Sequence, residues 1–241
     1  MTHIERLSKI GFLKKATTII HGVWLNPAEI AILAESGATV QHNPWSNLSL
    51  GSGVAPVRAL LDAGVNLSLA TDGCSSTDTC NLLTTLGLAS VLHTLRGDCD
   101  SWLGAAEAFR AATVGGAIAL GRKDELGVVQ EGAIADLVLY RLDSIPFVPE
   151  GNLIQQLAYA ERGASVAAVV VDGEPIFRDG RFLGIDEAEI LQETGSEFAR
   201  LRPLYEQAEA SAAGMLPALK RIHARCACHP IADNTYQARF N

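Results

Sequence analysis

Three short runs of β-forming residues each end in a reactive polar side chain, with helix-like stretches between them. The runs are Thr17-Thr18-Ile19-Ile20-His21, Ala38-Thr39-Val40-Gln41-His42-Asn43-Pro44 and Val65-Asn66-Leu67-Ser68-Leu69-Ala70-Thr71-Asp72-Gly73. Strand, helix, strand, helix, strand in succession favours a parallel sheet, and ligands of such sheets collect at the carboxyl ends of the strands. His21, His42 and Asp72 are therefore expected at one common end.

The intervening helices carry their own start and stop signals. Asn26-Pro27-Ala28-Glu29 combines a capping side chain, a proline suited to the first turn and a glutamate that reaches back to the cap. That helix is predicted to run to Ser36 and stop at Gly37. A loop is expected over Ser46–Gly53 and a short helix over Pro56–Ala63. A longer helix is expected from about Asp78 to Thr94. Residues 103–120 read as two helical pieces split at Gly115-Gly116. From Gly127 the texture changes to short β segments, at 127–129, 135–140, 166–171 and 174–177, with Asp172-Gly173 and Asp179-Gly180 as turn signals. Residues 186–224 read as helical with a break near Pro203 and a second at Pro217, followed by an irregular tail.

Charge and apolar content narrow the function classes. The 241-residue chain has a formal net charge of −8 and a pI near 5.2. That disfavours a general nucleic-acid binder, whose phosphate contacts need clustered Lys and Arg. Apolar runs are too short and interrupted to span a bilayer, and residues 1–15 lack the apolar core of an export signal. With no export signal, Cys74, Cys80, Cys99, Cys226 and Cys228 read as free thiols rather than a disulfide framework, in a soluble cytoplasmic protein. Cys74 and Cys80 flank the expected site and, with no activating base in the motif, read as packing residues. The segment His223–His229 misses the usual zinc spacings. Gly51-x-Gly53 lacks the rest of a dinucleotide fingerprint. Taken alone, His42-Asn43-Pro44 is equally a site element or a strand end, because proline holds the preceding residue extended.

The ordered set of motifs resembles the amidohydrolase superfamily. It consists of Ile19-Ile20-His21-Gly22-Val23-Trp24-Leu25, His42-Asn43-Pro44-Trp45-Ser46-Asn47, Gly53-Val54-Ala55-Pro56-Val57, Ala70-Thr71-Asp72-Gly73, Ala111-Ala112-Thr113-Val114-Gly115-Gly116-Ala117 and Glu131-Gly132-Ala133-Ile134-Ala135-Asp136-Leu137-Val138. More narrowly, it resembles the branch of aminohydrolases and chlorohydrolases acting on purines, pyrimidines, triazines and related heterocycles. The resemblance implies an α/β fold in which residues 1–126 are the C-terminal part of a metal-dependent (β/α)₈ hydrolase barrel, about its last three strands. Residues 127–185 would be part of a small β-sandwich, and 186–241 a helical segment and tail.

The resemblance also implies a divalent metal, zinc first and iron second, whose bound water attacks the ring carbon of a small heterocyclic substrate and breaks a C–N or C–Cl bond. Asp72 would be metal ligand and proton acceptor. His21 would hydrogen-bond the water and move protons, while His42, Asn47 and Ser76 would contact substrate. The family's His-x-His and His-x-x-Glu motifs are absent from this chain. The chain alone is therefore expected to be inactive, and to act as a homo-oligomer or with a complementing chain. The alternative is a non-catalytic half-barrel module for interaction or oligomerisation, since open sheet edges favour association.

Overall fold

The computed structural model describes residues 1–95 and 97–227. Met1–Gly180 group as one unit, and the described residues from Arg181 onward belong to a second. In the first unit, Thr2 and Glu5 close a capping box on helix α1 (His3–Lys9). Strand β1 (Thr18–Ile20) leads to α2 (Pro27–Ser36). There Asn26 accepts from the Glu29 N–H, and the Glu29 carboxylate accepts from the Asn26 N–H, both at 2.9 Å. Gly37, at φ 69°, ends the helix in the left-handed conformation that a Cβ disfavours.

Strand β2 (Thr39–His42) runs directly into α3 (Pro44–Ser49), so the loop expected over 46–53 is in its first half a helix. Pro44 occupies the first helical position, where its missing N–H costs nothing. After α4 (Val57–Asp62) comes β3 (Asn66–Leu69), then a single turn α5 (Cys74–Thr77) and α6 (Leu82–Leu92). The expected helix from Asp78 thus starts later, because Asn81 accepts from the N–H groups of Leu83 and Thr84 and sets the start there.

The strands pair in parallel in the order β1-β2-β3. Register places Ile19, Val40 and Leu67 in one row and Ile20, Gln41 and Ser68 in the next, which faces the other way. The first row packs against Ile30 and Leu33 of α2, Leu60 of α4 and Leu86 of α6. Full burial of a leucine such as Leu33 or Leu60 contributes about 1.5–3 kcal/mol. The second row is unevenly covered: Ile20 is 55% exposed, Gln41 half-buried and Ser68 buried.

Residues 105–119 form α7 (Ala105–Arg110), a wide π turn at Ala111–Gly115 and α8 (Gly116–Ala119), with no split at the glycine pair. Asn66 Nδ2 donates to the Gly115 carbonyl at 3.0 Å, tying this segment to the start of β3. Farther on, β4 (Leu137–Tyr140), α9 (Leu153–Tyr159), β5 (Val166–Val171) and β6 (Glu174–Arg178) follow, the strands antiparallel in that order. Asp172 and Gly173, both at positive φ, make the two-residue turn between β5 and β6 that the sequence signals. The segment 127–129 is not a strand.

In the second unit, β7 (Arg181–Phe182) precedes α10 (Glu187–Ala213) and α11 (Leu216–Ala227). Pro203 lies inside an unbroken α10, contrary to the expected break. It removes one backbone hydrogen bond, but Ala, Glu, Leu, Gln and Arg on both sides are strong helix formers, and Asp186 caps the start. The chain turns instead at Gly214-Met215, and Pro217 falls in the first turn of α11. His223 to Ala227 end that helix, while the tail at 228–241 lies outside the described residues. No helix among the described residues is long and apolar enough to cross a membrane.

Candidate active site

Parallel pairing carries the three strand ends to one place. The His21 N–H donates to the Gln41 carbonyl at 2.9 Å, and the Ala70 N–H donates to the His42 carbonyl at 3.1 Å. Immediately past these bonds, His21 (φ 71°) and Asp72 (φ 67°) both adopt left-handed backbone. Non-glycine residues held there cost on the order of 1–3 kcal/mol, and such strain concentrates at functional sites. The turned backbones bring the side chains together: His21 Nε2 lies 3.9 Å from Asp72 Oδ2.

The His21 ring is oriented from behind. Its Nδ1 donates to Asn47 Oδ1 at 2.9 Å, and Asn47, on α3, is only 1% exposed. This bond selects the Nδ1–H tautomer, leaving Nε2 as the acceptor nearest Asp72. The Asn47 carbonyl oxygen serves His21, and among the described residues its Nδ2 is buried without a partner. We expect Asn47→Leu to shift His21 toward the other tautomer, read by nitrogen NMR of the imidazole, with little loss of stability because water can serve the half-exposed ring. An unchanged tautomer in that variant would show that Asn47 does not set it.

Asp72 is tuned by hydroxyls and a backbone donor. Ser46, the Gly73 N–H at 2.9 Å, His21 and Ser76 together hold the carboxyl below the usual carboxylate range. The Ser46 hydroxyl acts most strongly although it completes no hydrogen bond at full bonding geometry. Ser76 also donates to the Gly73 carbonyl at 3.0 Å, so it braces the turn that carries Asp72. Ser46 had no role in the sequence reading. The signal was Pro44 at a helix start, which places Ser46 and Asn47 on one short helix beside the strand end.

His42 is fully buried, with its ring against His93 (Nε2 to Nε2, 3.4 Å; centroids 5.4 Å apart). Burial first, and the neighbouring His93 second, lower its pKa to about 3. The unfolded chain takes this proton below about 6.5, whereas the folded chain refuses it until about 3. Stability is therefore fully present above pH 6.5 and falls as pH drops toward 3, by about 1.4 kcal/mol per pH unit for one such proton. Urea unfolding at pH 7 and 5 should show this loss; equal midpoints would mean that folded His42 accepts the proton. Among the described residues, several buried polar atoms around α3 and the strand ends have no hydrogen-bond partner: His42 Nδ1, Asn43 Nδ2, Trp45 Nε1, Ser46 Oγ, Asn47 Nδ2 and Ser68 Oγ. Unpaired buried donors cost about 1–3 kcal/mol each, so such a concentration suits a site that receives a polar ligand.

Whether these residues alone fit a metal can be tested on their placement. A catalytic zinc takes about three protein ligands. Among the described residues no three His, Cys, Asp or Glu side chains come together to hold an ion. The described residues therefore do not by themselves build a metal centre.

A profile of the amidohydrolase family matches residues 1–176. The chain is 40% identical over 191 residues to a 5-methylthioadenosine/S-adenosylhomocysteine deaminase of Pyrococcus furiosus, a match covering 79% of this chain and 45% of the relative. To a 5'-deoxyadenosine deaminase of Methanosarcina mazei it is 36% identical, covering 79% and 44%. Among solved structures, an adenosine deaminase from Xanthomonas campestris with bound zinc superposes at a TM-score of 0.79 with 34% identity, covering 83% of this chain and 46% of that one. Atrazine chlorohydrolase from Arthrobacter aurescens, complexed with zinc, gives 0.77 and 33%, covering 81% and 44%. The chain thus spans less than half the length of the relatives it matches.

Proposed function

Because this chain belongs to the amidohydrolase family, we propose that it forms the proton-handling wall of a hydrolase site that releases ammonia from an aminated heterocycle of the adenosine class. The observation that carries this reading is the facing pair His21 Nε2 and Asp72 Oδ2, 3.9 Å apart, with the opposite ring nitrogen held by Asn47. Water attacks the ring carbon that bears the amino group. Asp72, ionised at neutral pH, accepts a proton from that water as the C–O bond forms. His21 Nε2 hydrogen-bonds the attacking oxygen and keeps the transferred proton near the leaving nitrogen. The attack shifts the C=N π pair onto the neighbouring ring nitrogen, which takes the remaining water proton. Asp72 passes its proton to the amino nitrogen, the C–N bond breaks as the C=O bond forms, and ammonia leaves. With chloride as leaving group the same pair would serve a C–Cl bond.

A divalent cation, zinc first, would activate the water in the complete site. Asp72 is the ligand available here, and the remaining ligands would come from outside the described residues. Ser76 borders the substrate position at the rim, while His42, fully buried against His93, stands behind the wall. The absence, among the described residues, of three gathered ligands favours a second reading, a non-catalytic module that associates through its open strand edge.

An ammonia-release assay in zinc buffer separates the two readings. The substrate is 5'-methylthioadenosine, and the chain is tested alone and mixed with the part of the Pyrococcus furiosus relative that it does not match. We expect silence alone and ammonia from the mixture. A mixture that associates stably yet releases none would establish the non-catalytic reading.

A further inference from the structure

Cys74 and Cys80 stand on the segment that follows Asp72, six positions apart, with both side chains exposed and their Sγ atoms 3.1 Å apart. We propose that they form a reversible dithiol–disulfide site, oxidised by a peroxide, at the rim of the strand-end site. The expectation that these cysteines only fill space does not suit this placement, since exposed sulfurs contribute little packing.

The backbone already holds the pair in place. Ser76 donates to the Gly73 carbonyl at 3.0 Å, and the Asp78 N–H donates to the Cys74 carbonyl at 3.0 Å. Asp78 then reverses the chain at φ 55°. On the far side, the Asn81 N–H donates to Thr79 Oγ1 at 3.0 Å, and Asn81 Nδ2 anchors the segment to the Arg162 carbonyl at 2.8 Å. A disulfide needs its sulfurs at about 2.05 Å, so closure asks for a movement of about 1 Å from side chains that solvent and small oxidants reach. The ordering entropy that normally opposes loop closure has largely been spent in folding.

The chemistry balances with peroxide as the oxidant. One thiolate Sγ attacks a peroxide oxygen. The S–O bond forms, the O–O bond breaks, and hydroxide leaves, giving a sulfenic acid. The neighbouring Sγ then attacks that sulfur, the S–S bond forms, and the S–O bond breaks. The second thiol's proton departs with the hydroxyl as water. Both sulfurs are oxidised and one peroxide is reduced. The product ties residues 74–80 into a ring directly after Asp72, which links the redox state of the pair to the turn that carries the carboxylate.

The test uses the full chain carrying Cys99→Ser, Cys226→Ser and Cys228→Ser, treated with one equivalent of hydrogen peroxide. We expect the mass to fall by about 2 Da, both remaining thiols to vanish from a thiol titration, and dithiothreitol to restore them. Adding Cys80→Ser should abolish the mass loss. Retained thiols, or a gain of oxygen on each sulfur without the mass loss, would overturn the proposal. Peptide mapping of the unsubstituted chain after the same treatment provides a second measurement. A link between Cys74 and Cys80 supports the pair, and links to Cys99, Cys226 or Cys228 in its place overturn it.

Discussion

Asp72→Asn is expected to reduce ammonia release by about 10²–10⁴-fold in the mixed assay, the range spanned by a positioned general base. The substitution removes the negative charge and the proton-accepting oxygen while leaving the rest of the turn able to form. Residue 72 sits at φ 67°, in the left-handed region, where asparagine is tolerated as well as aspartate. An asparagine Oδ1 can still accept from the Gly73 N–H that now bonds Asp72 Oδ1 at 2.9 Å. The variant should therefore keep its urea midpoint and its association with the complementing polypeptide, which isolates chemistry from folding. The loss should appear in kcat as well as kcat/KM, because the proton moves in the transition state. Turnover within threefold of the unsubstituted chain would remove Asp72 from the role assigned to it.

Gly115→Ala should destabilise the first unit by at least about 3 kcal/mol, in the range reserved for severe overpacking. A Cβ built on Gly115 would lie 2.0 Å from the Leu67 carbonyl oxygen and 3.1 Å from its carbon. Both are backbone atoms of the middle of β3, so no flexible side chain can yield. Relief would require the π turn to lift from the strand and surrender the Asn66 Nδ2 bond to the Gly115 carbonyl. The next residue is the control. Gly116 is helical, and a Cβ there meets nothing within 4 Å. Gly116→Ala should stabilise by about 0.5–1 kcal/mol through helix propensity and a less flexible unfolded chain. Urea unfolding of both variants gives the comparison; a Gly115→Ala loss below 1 kcal/mol would mean that the approach to β3 is looser than described.

These two glycines show where reading the sequence stopped. Adjacent glycines look like a helix break, and a split was expected there. One of them instead permits a helical segment to lie against a strand carbonyl, a close approach that depends on a partner 48 positions away in the chain. Pro203 gave the same lesson in reverse. A strong local breaker was outweighed by the helix-forming run around it. After His42 a helix stands where a loop is expected, for a local reason: Pro44 opens α3 as Pro27 opens α2.

The sequence alone determined the alternation of strands and helices, the caps at Asn26 and Gly37, the turn at Asp172-Gly173 and the strand-end positions of His21, His42 and Asp72. These features depend on residues a few places apart, whose hydrogen bonding and side-chain period are local. It also carried the family likeness, because ordered motifs survive as strings. Only the tertiary structure decided what each side chain meets. Asn47 turns to His21, Ser46 lies beside Asp72 without a full hydrogen bond, His42 turns to His93, and Cys74 to Cys80. Except for the cysteines, these partners lie on different elements, and strand register, the hand of the crossovers and core packing set their separation. No short-range pattern encodes those quantities, so the positions of the chemistry were readable while its geometry was not.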